Sequence, residues 1–173
     1  MHDFGGRGLA ERYDPDNWTP VLRLLARMQI ECARRTAQMR AWGCPLRPVS
    51  ALPAALGPLL GETLPRVARH SAVRVSDEDK RQVEALAPRI AAGCDVLAAA
   101  RLPDTLIHGD LNVGNVALVG PEQQTPLLLD WTDAAVAHPF FDLLTVLEGG
   151  GQGRSPEQAA AYEARLRDAY LDV

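Results

Sequence analysis

The sequence predicts a mainly helical α+β chain that carries a small β-hairpin. Apolar residues recur at three- and four-residue steps over much of residues 17–104. From Thr105 the helical period gives way to short apolar runs separated by turn residues. The composition agrees: aromatic residues make up only 5% of the 173-residue chain, and Ala, Leu and Arg are abundant.

Residues 1–15 are glycine-rich and read as irregular, with no strand expected before residue 17. From about Asn17 to Trp42, Val21, Leu25, Met28 and Cys32 mark one face of a helix, with Arg23, Arg27, Arg34 and Arg35 between them. Pro20 suits a first turn, where its missing N–H costs nothing, and Gly43 before Pro45 is a stop signal. Residues 44–75 are rich in Pro and Gly, with one short helix expected near 51–60. Ser76 is placed to cap the next helix, and Asp77, Glu78 and Asp79 favour the positive end of its dipole. Val83, Leu86, Ile90, Cys94 and Leu97 are its expected buried side, and Pro88 should kink or break it.

Strands are expected at Thr105–His108, Asn115–Val119 and Leu127–Trp131, the last two joined by the loop GPEQQTP. After Pro139 a helix is expected over Phe140–Glu148, ending in the glycines 149–151. A last helix should begin at Ser155 as cap with Pro156 at its first position, and reach Tyr170.

Bulk properties narrow the function. One domain is the default at this length, and 47% hydrophobic with 23% charged residues is ordinary for a globular chain. A net charge of −4 and a pI near 5.5 argue against nucleic acid as a partner. No apolar run reaches the roughly 18 residues of a membrane span, and the N-terminus has no signal-peptide core. Cys32, Cys44 and Cys94 are odd in number and widely spaced, so buried free thiols in a reducing cytoplasm are expected. Lys80 is the only lysine.

The segment TLIHGDLNVGNVALVGPEQQTPLLLDWTDAAVAHPFFDL, residues 105–143, holds the chemistry. Asp110 leaves one strand and Asn115 opens the next, in a D-x-x-x-x-N loop. Asp130 follows the apolar run Leu127–Leu129, so it should emerge at a sheet edge near Asn115. One carboxylate beside an acceptor hydroxyl and two oxygen ligands for Mg²⁺ is what phosphoryl transfer requires. His108 reads either as a base or as a structural residue bonded to backbone around the metal loop, and the second reading is favoured. Gly109 allows a tight turn between His108 and Asp110. Asp142 either caps the following helix or ties it to the loop, and His138 reads as structural. Asp3-Phe4-Gly5 spells a kinase metal motif, but it precedes the loop where such a motif follows it.

HGDLNVGN, followed by an apolar strand ending in Asp-Trp and then HPFFDL, resembles the aminoglycoside phosphotransferase and choline kinase-like family, with its protein-kinase-like fold. By that resemblance Asp110 matches the catalytic base, Asn115 a metal ligand and Asp130 the principal metal ligand, while Asp142 looks like a structural Asp. The resemblance implies ATP (or GTP) as donor, Mg²⁺ as cofactor, and a small-molecule hydroxyl in a metabolite or antibiotic as acceptor. It also implies that residues 1–173 form one partial domain, the C-terminal lobe of such an enzyme. Residues 1–16 would follow the hinge, 17–104 form the helical part, 105–143 the catalytic segment, and 144–173 truncated C-terminal helices.

The family's N-terminal lobe, with its nucleotide-covering loop and lysine, is not recognisable here, and Lys80 sits among acidic neighbours. A fragment of a longer cytoplasmic kinase is the leading expectation. An inactive truncated paralogue acting as a binding module is the alternative, its exposed apolar surface meeting the missing lobe or a second copy. A hydrolase using a metal at His108, Asp110 and Asp130 is the third reading, weakened by the shortage of His ligands.

Overall fold

The structure is a computed structural model, described here for residues 6–9, 15–63, 66, 76–122, 124–150 and 153–173. The Asp3-Phe4-Gly5 string and most of the expected post-hinge segment lie outside the described residues. The chain forms two compact units, one of residues 1–46 with 103–173 and the other of residues 47–102.

The first unit is built around helix α1 (Pro15–Ala33). Trp18, Val21, Leu22 and Leu25 on its inner face have no solvent exposure. Burying each such side chain contributes roughly 1.5–3 kcal/mol, so this face is a substantial part of the stability of the unit. Leu111, Val116, Leu118, Leu128, Leu143, Val146, Tyr162 and Leu166 complete the same core. The expected helix over 17–42 is two helices, because the chain turns at Arg34–Arg35 before α2 (Thr36–Ala41). The first begins at Pro15, which puts Pro20 inside the helix rather than in its first turn. Gly43 takes a positive φ of 96° past the end of α2, and Cys44 N–H reaches back to Met39 O at 3.0 Å. This left-handed stop suits glycine, which lacks the Cβ that would resist it.

Among the described residues two three-stranded sheets carry the candidate loop and its neighbours. Strand β1 (Arg7–Gly8) corrects the expectation of no strand before residue 17. It pairs antiparallel with β4 (Val116–Val119), Arg7 opposite Leu118, and β4 pairs with β5 (Thr125–Leu128), Val116 opposite Leu128. The hairpin expected from GPEQQTP therefore forms, but β5 starts two residues earlier and ends before Asp130. Pro126 is tolerated in it because β5 is an edge strand, where a missing N–H need not break the ladder.

The second sheet has the order β2 (Leu46–Arg47), β6 (Ala135–Ala137), β3 (Thr105–Ile107), with Leu46 the β2 residue in this unit. Ile107 pairs with Ala135, and Val136 N–H donates to Pro45 O at 2.7 Å. Strand β6 was not expected from the sequence. Helix α6 (Phe140–Gly150) follows Pro139, and α7 (Pro156–Leu171) packs along α1. Ser155 caps α7 in a capping box with Gln158.

The second unit contains a 3₁₀ turn (Val49–Ala51), α3 (Leu52–Pro58) running into a π-turn (Leu59–Thr63), α4 (Asp77–Ala85) and α5 (Ala87–Ala99). The Ser76 cap forms a capping box with Asp79, and Pro88 sits at the start of α5, where the expected break falls. Of the expected buried side, Cys94 is buried, Val83, Ile90 and Leu97 are half-buried, and Leu86 is exposed. Within this unit α5 packs on α3 and on the 3₁₀ turn, so one narrow stripe meets a partner and the rest faces water. The three cysteines are free, and only Cys94 is fully buried; Cys32 and Cys44 are half-buried, which corrects the expectation for those two.

Candidate active site

The candidate loop begins where β3 ends. Gly109 has φ +84°, and a Cβ there would collide with the Asp133 carbonyl oxygen. Both facts require glycine at this turn. His108 before it is wholly buried. Its Nε2–H donates to Leu129 O at 2.7 Å, which leaves Nδ1 as the acceptor facing Asp110 N–H at 3.4 Å. The ring also lies 4.7 Å from that of Trp131. With Nε2 bonded to backbone and no exposed edge, His108 is not available as a metal ligand or a base.

Asp110 stands exposed at the tip. Asn115 Nδ2 donates to Asp110 Oδ2 at 2.9 Å and to Asp110 O at 2.8 Å. Asn112 Nδ2 donates to the other carboxylate oxygen at 2.9 Å, while its Oδ1 accepts from Gly114 N–H at 2.8 Å. Two amides thus fix the plane of the Asp110 carboxylate. The bonds also orient Asn115: its NH₂ is committed, and its Oδ1 has no partner among the described residues. Asn115 sits in a 3₁₀ turn just before β4 rather than in the strand itself.

Leu129 joins these parts. Its N–H donates to Asn115 O at 2.8 Å, and its carbonyl holds His108. The next residue is Asp130, which adopts a left-handed conformation, φ 58° and ψ 70°. Asp enters this region more readily than most residues, since its short polar side chain bonds locally. Here Thr132 Oγ1–H donates to Asp130 Oδ1 at 2.7 Å. Asp130 Oδ2 has no partner among the described residues. The Leu129 N–H bond to Asn115 O thus sets Asn115 one residue from the position opposite Asp130, at the open end of the hairpin.

Among the described residues no group of three or more His, Cys, Asp or Glu side chains could hold a metal ion. A metal here would rest on Asn115 Oδ1 and Asp130, with other oxygens from phosphate and water. That donor set fits Mg²⁺, which keeps several waters and takes few protein ligands. An open groove of about 660 Å³ lined by Thr19, Arg23, Arg165 and Asp168 contains none of these residues.

Behind the loop lies a polar cluster in an otherwise apolar interior. Asp142, in the first turn of α6 and almost fully buried, accepts from His108 N–H at 2.8 Å and Gly109 N–H at 2.9 Å. Burial pushes its carboxyl above the usual range, and the two backbone donors pull it back. Gln29 Nε2 donates to Asp142 Oδ2 and to Pro139 O, both at 3.3 Å. Tyr170 O–H in turn donates to Gln29 Oε1. Burial, then the charge of Asp142, raises the Tyr170 phenol well above its ordinary value, so it stays a donor.

Sequence reasoning missed Gln29 and Tyr170. The signal was present for Gln29, a polar residue on the α1 face of Leu22 and Leu25, where the helical period calls for an apolar one. Lys80 Nζ pairs with Asp77 at 2.8 Å. Among the described residues no helix is long and apolar enough to cross a membrane.

A family model described as a phosphotransferase enzyme family matches residues 10–172. Among solved structures, the GDP and kanamycin complex of APH(2")-IIia is similar at a TM-score of 0.55 and 21% identity, over 94% of this chain and 50% of that one. The chain thus spans about half the length of that structure. No curated protein matches.

Proposed function

The chain belongs to the phosphotransferase enzyme family, and from that premise we propose that it transfers a phosphoryl group from ATP or GTP to a hydroxyl of a small molecule. One observation carries the reading. The bond from Asn115 Nδ2 to Asp110 holds the carboxylate in place and leaves Asn115 Oδ1 without a partner among the described residues, while the Asn115 backbone carbonyl accepts from Leu129, the residue before Asp130.

In this reading Asp110 orients the acceptor O–H and takes its proton as the acceptor oxygen bonds to the γ-phosphorus. The bond from that phosphorus to the bridging oxygen breaks, and the nucleoside diphosphate leaves with the negative charge. Asn115 and Asp130 would hold Mg²⁺, which when bound neutralises charge developing on the phosphates. Asn112 and Asn115 keep Asp110 in one plane, so less orientation is lost when an acceptor binds. His108 and Asp142 support the loop from behind. The hydrolytic alternative loses His108, whose Nε2 is taken by Leu129 O.

The similar structure holds GDP and kanamycin, which recommends GTP beside ATP and an aminoglycoside beside amino alcohols and sugars as acceptors. The test is radiolabel transfer from the γ-position of each nucleotide, with Mg²⁺, to that panel. Transfer to one class by the wild type, and none by Asp110→Ala, supports the reading. Equal transfer by both proteins overturns it.

A further inference from the structure

The polar cluster behind the loop links three helices to two backbone amides. Gln29 is on α1, Asp142 on α6 and Tyr170 on α7, and the amides belong to His108 and Gly109. Gln29, Asp142 and Tyr170 are all buried. Bonds in such surroundings are strong when satisfied and costly when not.

The sense of the Gln29 amide matters. Both groups on its nitrogen side, Asp142 Oδ2 and Pro139 O, are acceptors. The group on its oxygen side, Tyr170 O–H, is a donor. Rotation of the terminal amide by a half-turn is sterically mild, because that torsion is broad and roughly two-fold. It would place a carbonyl oxygen against the Asp142 carboxylate. The two acceptors, Asp142 Oδ2 and Pro139 O, therefore set the sense of the amide, and Tyr170 O–H anchors its oxygen end in that sense. Thr105 Oγ1–H adds a second tie, donating to the Gln29 backbone carbonyl at 2.5 Å from the strand that feeds the loop.

We propose that Gln29 and Tyr170 are positioning residues for Asp110, acting through Asp142 on the His108–Gly109 backbone. Their place in turnover rests on the phosphotransferase reading, but their hold on the loop does not. Tyr170 fixes the Gln29 amide, the Gln29 amide fixes the Asp142 carboxylate, and Asp142 fixes the turn from which Asp110 projects. The end of α7 thereby sets the geometry of a loop more than sixty residues before it.

The test is residue-resolved amide hydrogen exchange on the whole chain without nucleotide, for wild type, Tyr170→Phe, Gln29→Met and the double variant. The His108 and Gly109 amides should exchange about fivefold to tenfold faster in each single variant, the factor for one buried hydrogen bond. The double variant should add nothing to Gln29→Met, because the relay is then already cut. The Leu129 amide, held by Asn115 O, should keep its wild-type rate. Unchanged exchange at His108 and Gly109, additive effects, or equal acceleration at every amide overturns the proposal. Where Gln29→Met does not fold, Tyr170→Phe decides alone, since it removes one oxygen and keeps the ring.

In a preparation that transfers phosphate, Tyr170→Phe should lower kcat by a similar factor and leave KM for nucleotide unchanged. Local acceleration in a chain without transfer would retain the relay and reject the activity. Transfer with no local response would do the reverse.

Discussion

Asn115 donates its side-chain N–H to Asp110 Oδ2 at 2.9 Å, five positions earlier in the sequence. This bond settles which end of the Asn115 amide faces the carboxylate. It makes one residue a brace for the proposed base and leaves its Oδ1 open for the proposed metal.

Asp110→Ala should leave nucleotide affinity within about twofold of wild type, since the phosphate-side ligands are other residues. It should reduce transfer by about a hundredfold or more, the scale of a lost acid–base group. Calorimetry of nucleotide binding beside a radiolabel assay checks both halves. Retained transfer, or lost affinity, would remove Asp110 from the role.

Gly109→Ala should destabilise the fold by roughly 2–5 kcal/mol, from left-handed strain together with the collision at the Asp133 carbonyl. Urea unfolding measures this through the midpoint, provided the slope is unchanged. A loss below about 0.5 kcal/mol, the range of an uncoupled surface change, would mean the turn is laxer than the structure shows.

Asp142→Asn should cost roughly 1–3 kcal/mol although it is nearly isosteric. The carboxylate accepts at both oxygens, from His108 N–H and Gly109 N–H. An amide offers one oxygen and turns an N–H towards the other donor. A thermal scan in which Asp142→Asn matches wild type would show that the two backbone bonds carry no net stability.

His138 gives a pH signature. It is buried, its Nδ1 faces the Phe140 N–H, and its Nε2 has no hydrogen-bond partner among the described residues. Burial lowers its pKa, opposed by the charge of Asp104. A group whose folded pKa is depressed contributes stability above its unfolded value, near 6.5. That stability is lost as the pH falls from about 6.5 through the folded pKa, because the unfolded chain takes up the proton first. The melting temperature should therefore fall between pH 7 and 5 in wild type, and fall less in His138→Gln. Parallel curves for the two proteins would assign the acid sensitivity to other groups.

Much of this fold was legible because its signals are local. The caps at Ser76 and Ser155, the stop at Gly43 and the hairpin around GPEQQTP each depend on a few adjacent residues. Strand β6 was not legible: Ala135–Ala137 is buried on both faces and too short to show alternation. Strand β1 is two residues long and exists only through its pairing with β4. The depth of burial along α4 and α5 was not legible, because periodicity shows which residues share a face and not how far a partner covers it: Leu86 is exposed where Cys94 is buried.

At the candidate site, the spacing of Asp110, Asn115 and Asp130 singled out the residues proposed for it. It could not show that Asn115 braces Asp110, that Asp130 is left-handed, or that Leu129 ties them together. Those relations are long-range or conformational, and the Gln29–Tyr170 link spans 141 residues.

The most direct measurement is calorimetric titration of Mg·ATP and Mg·GTP into the purified 173-residue chain, with Asp130→Ala and a magnesium-free run as controls. Metal-dependent binding of one nucleotide, absent from Asp130→Ala, is the predicted result. Equal binding by wild type and Asp130→Ala, or none by a folded wild-type chain, would contradict the account.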